Sequence, residues 1–153
     1  MASEAMTESP SPRVLDAGCG KNKYPGSVGL DYREGTAADV IHDLAEFPYP
    51  FRDDEFYLVV SRHVIEHLPD VIGFVEEVAR ITKPGGRIQL LTPHYTNADW
   101  AADPTHRNHL SSYSFNVFVE EKIVFDFYSE VRLEPVRIYL TIPSAFQRFG
   151  IVK

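Results

Sequence analysis

The sequence predicts an α/β fold with a mostly parallel sheet, and three observations carry that expectation. Short apolar runs at 14–16, 28–31 and 56–61 stop at Asp16, Asp31 and Ser61, as buried parallel strands do where they reach the ligand-binding end of a sheet. A glycine turn, Ala17-Gly18-Cys19-Gly20, directly follows the first run. A stretch at 70–82 with helical spacing then separates two later strand-like runs, and alternation of strand and connection favours parallel pairing.

Size and charge narrow the function classes. The chain has 153 residues, which suits one domain able to bury roughly two-thirds of its unfolded surface. Hydrophobic content of 44% with 12% aromatics belongs to a packed globular protein. The net charge of −7 argues against a nucleic-acid partner gripped through phosphates, which requires a basic face. Cys19 has no second cysteine to pair with, so a reducing, cytoplasmic home is expected. No apolar run approaches the ~20 residues of a membrane span, and no signal-peptide core follows Met1, so no membrane partner is expected. Residues 1–12 mix Ser, Pro and Glu without apolar period and read as a disordered tail. Residues 13–153 read as a single domain, and no internal repeat is present.

The first strand is expected at 13–16 and the second at 28–31. Gly18 and Gly20 open backbone conformations closed to other residues and leave no side chain between chain and ligand. Asp31, followed by Tyr32, ends the second strand where an acid accepts the hydroxyls of a ribose. A nucleoside-bearing ligand is therefore expected. A dinucleotide fingerprint would place its third glycine at Lys23, which disfavours a nicotinamide cofactor. Asp16-x-Gly18-x-Gly20 instead resembles the first motif of the class I S-adenosylmethionine-dependent methyltransferases. His42-Asp43-Leu44, the run SRHVIEHL at 61–68, and Lys83-Pro84-Gly85-Gly86 match further family segments in order. The resemblance covers residues 13–93. It implies a Rossmann-like sheet flanked by helices, S-adenosylmethionine as cofactor, and a cofactor-binding set of Asp16, Ala17, Gly18, Cys19, Gly20, Lys21, Asp31, Tyr32, Asp43, Leu44, Ser61, Arg62 and His63. Within it, Asp31 takes the ribose, while Asp43 and the backbone of Leu44 meet the adenine.

One departure from the family is plain. Only residues 21–27 join the glycine turn to the second strand, and Pro25-Gly26 lies among them. A parallel crossover normally takes a dozen residues or more with a helix, so the first helix is expected to be shortened or absent. Lys21 or Lys23 then either meets the methionine carboxylate or is a solvated loop lysine.

Residues 39–42 read as strand three and 56–61 as the central strand. His63 and His67 stand four apart with Glu66 between them, which is not the zinc-protease order. The resemblance places His63 beside the cofactor and His67 at the wall of the acceptor cleft; the alternatives are two imidazoles satisfied within the fold, or metal ligation. Asp70 is an N-cap, and Val71, Val75, Val78 and Ala79 form the inner face of the helix. Glu76, Glu77 and Arg80 are read as its solvated side. Pro84-Gly85-Gly86 ends the helix, and 87–92 is the next strand. Residues 114–122 suggest a short helix capped by Ser114. Residues 125–128 and 131–142 suggest closing strands, which the resemblance makes an antiparallel C-terminal edge. The short Phe-rich end, with Phe146 and Phe149, suggests a homodimer contact and no separate acceptor domain.

The remaining chemistry lies in His94 and the run Asp103-Pro104-Thr105-His106-Arg107-Asn108-His109. In-line methyl transfer is chiefly alignment, and a base is needed only where the acceptor must lose a proton. Candidates are His94 and His106, with Asp103 orienting an imidazole; His109 is a further one. Asp103, His106 and His109 as a metal set, and a lid with no proton to move, stay open beside that role. The sequence thus reads as a methyltransferase of an unidentified, small-molecule acceptor, with a non-catalytic cofactor-binding subunit as the rival.

Overall fold

In the computed structural model of the chain, the structure describes residues 13–122 and 126–141, without the side chain of residue 99. The strands are β1 (Val14–Ala17), β2 (Val28–Asp31), β3 (Val40–Ile41), β4 (Phe56–Arg62) and β5 (Thr82–Leu91). They form a five-stranded sheet in the order β3-β2-β1-β4-β5, every pair parallel. The order reverses at β1, which has β2 on one side and β4 on the other. Such a reversal opens a crevice at the carboxyl ends of the strands, where α/β folds bind ligands.

The core explains why these runs are strands. Leu15, Ala17, Leu30, Val59 and Val60 are fully or almost fully buried, as central parallel strands covered on both faces must be. Helix α1 (Val71–Ile81) starts at Asp70, whose carboxylate accepts from the Gly73 amide at 2.8 Å. That cap satisfies one of the amides a helix start leaves open. Its inward face is Phe74, Val75, Val78 and Ile81. Val71 and Ala79 are only partly buried, so the stripe is turned from the one expected. Burying the ring of Phe74 is worth about 1.5–3 kcal/mol.

The side of α1 read as solvated is not. Glu77 is buried, accepts from the Tyr49 amide at 2.6 Å and from Arg80 Nε at 2.9 Å. Arg80 reaches on to Asp53 Oδ1 at 2.6 Å. Glu76 accepts from the Ser129 hydroxyl at 2.6 Å. This network ties α1 to the 49–53 loop, and the Tyr49 amide with the Arg80 guanidinium compensates the buried charge of Glu77.

The expected absence of a first helix holds. Residues 21–27 join β1 to β2 with turns alone. Strand β5 begins directly after α1, with Lys83–Gly86 looped out between Thr82, paired to Phe56, and Arg87, paired to Leu58. The C-terminal expectation fails in the described residues. Asp126–Tyr128 is a 3-10 turn, and 129–141 has no regular structure, so no antiparallel strand joins the edge there. Residues 114–122 hold two 3-10 turns, Asn116–Phe118 and Glu120–Lys122, instead of one helix. Ser114 accepts from the Ser111 amide and does not cap. The tail at 1–12 and the Phe-rich end with Phe146 and Phe149 lie outside the described residues.

Candidate functional site

The glycine turn, which continues from β1, is held to the end of β2. Gly18 and Cys19 donate their amides to Leu30 O at 2.8 and 3.2 Å, and Gly20 donates to Asp31 Oδ2 at 2.9 Å. Gly18 sits at φ 80°, and a Cβ there would lie 2.2 Å from Val64 Cγ2. Gly20, at φ 53°, has open space where a Cβ would stand. The first glycine is thus demanded by packing and the second by a left-handed backbone. Ala17 is fully buried beneath the turn. Burial, and then the negative charges of Asp31 and Asp16, push the Cys19 thiol up from its usual range, so it stays neutral.

Asp16 and Asp31 stand at adjacent strand ends with different duties. Asp31 Oδ1 accepts from the Arg33 amide at 3.0 Å, so each of its oxygens has one partner and a lone pair to spare. Asp16 is wholly buried. Its Oδ2 accepts from the Tyr24 amide and from Arg62 Nη2, both at 2.7 Å, while its Oδ1 has no partner. Arg62 also donates to Asn22 O at 2.7 Å. The arginine at the end of β4 therefore fastens the 21–27 loop in place of the missing helix. Lys23 is ion-paired with Asp39 at 2.6 Å, which assigns it to the loop's own structure. Lys21 and Tyr32 are exposed beside the turn, and the Tyr32 hydroxyl accepts from Arg33 Nε.

Asp43 is exposed and caps its own turn through the Ala45 amide at 2.9 Å. Leu44 is buried, and its carbonyl accepts from the Tyr49 hydroxyl at 2.9 Å. Ser61 is buried and donates its hydroxyl to Ala17 O at 2.9 Å, locking β4 to the end of β1. His63 follows at φ 55°, with an exposed ring whose Nδ1 lies 3.4 Å from Glu66 Oε1.

A second cluster forms where the 103–109 run folds back on 63–68. Arg107 and Asn108 donate their amides to Glu66 O at 2.8 and 3.2 Å. The Asn108 side chain donates to Ile65 O and Leu68 O at 2.9 and 2.8 Å. These bonds set His106 between two carboxylates, its Nε2 4.0 Å from Glu66 Oε1 and 3.9 Å from Asp103 Oδ2. Thr105, through hydroxyl and amide, holds Asp103 below the usual carboxylate range. His94 stands apart from this group, its Nδ1 on the Thr96 hydroxyl at 2.7 Å and its ring against Tyr95. His109 stacks on Trp100, ring centres 3.9 Å apart. Asp103 and His106 thus come together as expected, whereas His94 and His109 are engaged elsewhere.

The model of a family described as "Methyltransferase domain" matches residues 3–134. The chain belongs to the class I S-adenosylmethionine-dependent methyltransferases. A "Probable S-adenosylmethionine-dependent methyltransferase" of Mycolicibacterium smegmatis is 34% identical over 130 residues, covering 70% of this chain and 49% of the relative. The chain thus spans about half the length of that relative. Tocopherol O-methyltransferase of Arabidopsis thaliana is 49% identical over 43 residues, 28% of this chain and 12% of its own length. Among solved structures, a SAM-dependent methyltransferase from Archaeoglobus fulgidus aligns with a TM-score of 0.61 at 20% identity, covering 90% of this chain and 76% of that one. That likeness bears on the fold.

The donor set suits this family's cofactor, S-adenosylmethionine. Asp31 keeps acceptor capacity at the strand end, Gly20 leaves room for a close approach, and Asp16 Oδ1 is a buried acceptor without a partner. The sequence reading gave no role to Glu66, nor to Thr92, whose hydroxyl donates to Glu66 Oε2 at 3.0 Å. The HVIEH and DPTHRNH runs each showed half of the cluster. Nothing local shows that residues about 40 positions apart share it.

Proposed function

We propose that the chain transfers a methyl group from S-adenosylmethionine to a small-molecule acceptor, with the cofactor held at the carboxyl ends of β1, β2 and β4. The observation that carries the reading is the turn itself: Gly20 N on Asp31 Oδ2, with the left-handed Gly18 and Gly20 between two acid-tipped strands. Asp31 accepts the ribose hydroxyls, Asp43 and Leu44 face the base, and Gly18 to Lys21 with Ser61 to His63 line the remainder. When bound, the cofactor supplies an electrophilic methyl group on a sulfonium.

The chain's own part is alignment and the handling of an acceptor proton. His106 donates Nδ1–H to Trp100 O, 2.8 Å away, and a neutral ring then carries its lone pair on Nε2, toward Glu66 and Asp103. The Trp100 carbonyl orients that ring, Asp103 Oδ2, 3.9 Å from Nε2, would stabilise the imidazolium once Nε2 takes a proton, and the 103–109 segment roofs the end of β4. His94, half-buried beside Tyr95 after β5, lines the acceptor side. A small-molecule acceptor is favoured by the similarity to a tocopherol O-methyltransferase and by the net charge of −7, which does not favour phosphate-rich polymers. The reading further places the protein in the cytoplasm.

The test is calorimetry with S-adenosylhomocysteine on wild type and Asp31→Ala. The variant should lose at least about tenfold in affinity, or about 1.4 kcal/mol. Unchanged affinity would remove the ribose assignment. A mass-detected screen of acceptors on the whole chain then asks for transfer. Binding without transfer to any acceptor would favour a cofactor-binding subunit instead.

A further inference from the structure

We propose that Glu66, His67 and His106 form a binding site for one divalent cation of the zinc type, at the junction of the 63–68 turn and the 103–109 segment. The inference leaves cofactor binding at Asp31 untouched but competes with the base role given to His106, since a cation on Nε2 takes the lone pair that would receive an acceptor proton; cation titration and cofactor calorimetry therefore fail separately. One ligand atom from each of the three residues lies within 4.8 Å of the others. Zinc lengths of about 2.1 Å to nitrogen and oxygen put tetrahedral ligands roughly 3.4 Å apart. The 4.0 Å from His106 Nε2 to Glu66 Oε1 closes to that value with small side-chain rotations.

The independent observation is the carboxylate. Glu66 has 0% exposure, and its Oε1 has no hydrogen-bond partner. Thr92 fixes the other oxygen at 3.0 Å, and two amides fix the Glu66 carbonyl. A buried, unpaired carboxylate oxygen is expensive unless a cation or a proton meets it.

The hydrogen bonds around the imidazoles point the same way. The partner of His106 Nδ1 is the Trp100 carbonyl, which can only accept, so Nδ1 carries the proton. In the neutral ring Nε2 is then a bare lone pair facing a bare carboxylate oxygen. His67 Nδ1 lies 2.9 Å from the Thr105 hydroxyl, and that hydroxyl gives its proton to Asp103 Oδ1 at 2.6 Å. His67 Nδ1 is therefore the donor as well, which leaves Nε2 to ligate. Imidazoles whose second nitrogen donates to a carbonyl or a carboxylate-backed hydroxyl are the usual surroundings of a metal.

Two imidazoles and one carboxylate select zinc or a similar transition ion over Mg2+ or Ca2+, which prefer oxygen ligands. Three protein ligands leave a fourth position open. Asp103 Oδ2, 3.9 Å from His106 Nε2, stands beside it. The competing occupant is a proton: His63 Nδ1, 3.4 Å from Glu66 Oε1, or His106 itself would supply it.

The experiment uses the full chain, stripped with chelator and dialysed, and titrated with Co2+. The expected result is visible absorption saturating near one equivalent, bleached by Zn2+ and indifferent to millimolar Mg2+. His67→Gln and His106→Gln should each weaken Co2+ binding by more than the ~10–100-fold that loss of even an outer partner costs. Glu66→Gln should do the same. Should its buried site prevent folding, as circular dichroism would show, the two less buried histidine variants decide alone. No saturable uptake of Co2+ or Zn2+ by the folded wild type would overturn the proposal in favour of the proton. Uptake unchanged in both histidine variants would overturn it in favour of another location.

Discussion

Removing the guanidinium at Arg62 should damage this fold more than removing the charge it pairs with. Arg62 Nη2 and Asp16 Oδ2 are 2.7 Å apart, with side-chain exposures of 36% and 0%. Taking one partner from a fully buried pair costs about 3–5 kcal/mol, whereas an exposed pair is worth about 0–1 kcal/mol. Arg62→Met strands the fully buried member, whose Oδ1 already lacks a partner and whose Oδ2 keeps only the Tyr24 amide. It also releases Asn22 O. An intermediate loss of about 2–3 kcal/mol follows, or roughly 5–10 °C in Tm for a chain of this size. Asp16→Asn leaves the partner whose end reaches water and should cost about 1 kcal/mol or less in stability. Urea unfolding of both variants, followed by circular dichroism, measures the difference. If Arg62→Met lies within about 0.5 kcal/mol of wild type, or if Asp16→Asn is the more damaging, the view that this arginine replaces the missing helix is wrong.

Gly18→Ala should cost about 1–3 kcal/mol in urea unfolding, because its methyl meets Val64 at 2.2 Å on a left-handed backbone; adding Val64→Ala should restore only the steric part. Lys23 and the Gly29 amide hold Asp39 below its ordinary value. A depressed carboxylate stabilises fully above its unfolded value near ~3.9 and loses that contribution as pH falls through the folded value. Carboxyl NMR titration of Lys23→Met should therefore show Asp39 moving up toward ~3.9, with acid unfolding starting at higher pH. Cys19, buried with its thiol pushed up, should react with iodoacetamide far more slowly than a free thiol at pH ~8; fast labelling of the folded chain would contradict that burial.

Local signals carried most of the frame. Asp70 as cap, the valine-rich stretch behind it and the acid-tipped run at 28–31 each hold their cause within a few residues, and all three stand where the sequence placed them. The short 21–27 link was equally legible, since chain length alone forbids a helix there. Glu77 was misread because its partner is the amide of Tyr49, a turn of chain away in space and 28 positions away in sequence. The 131–142 run misled for a different reason. Its alternating Val, Ile and Leu suit a strand, but strand preference depends on a neighbour to pair with, and Val136, Ile138 and Leu140 are left exposed. In the candidate site, Asp31 and His106 were visible as residue types at telling positions. Glu66, lodged inside an apolar run, revealed its importance only through the side chains that surround it.

Asn108 spans the carbonyls of Ile65 and Leu68 while its own amide, with that of Arg107, grips Glu66. The 103–109 segment and the turn after β4 are thereby one mechanical piece, and the proposed function puts His63, at the start of that turn, on the cofactor side. Whatever steadies the segment steadies the turn, so on the proposed reading occupancy of the two sides should be thermodynamically linked. Linkage of this kind is reciprocal: the factor by which a bound acceptor tightens the cofactor must equal the factor by which the cofactor tightens the acceptor. With Asn108→Ala the two sides separate, and that shared factor should fall toward one.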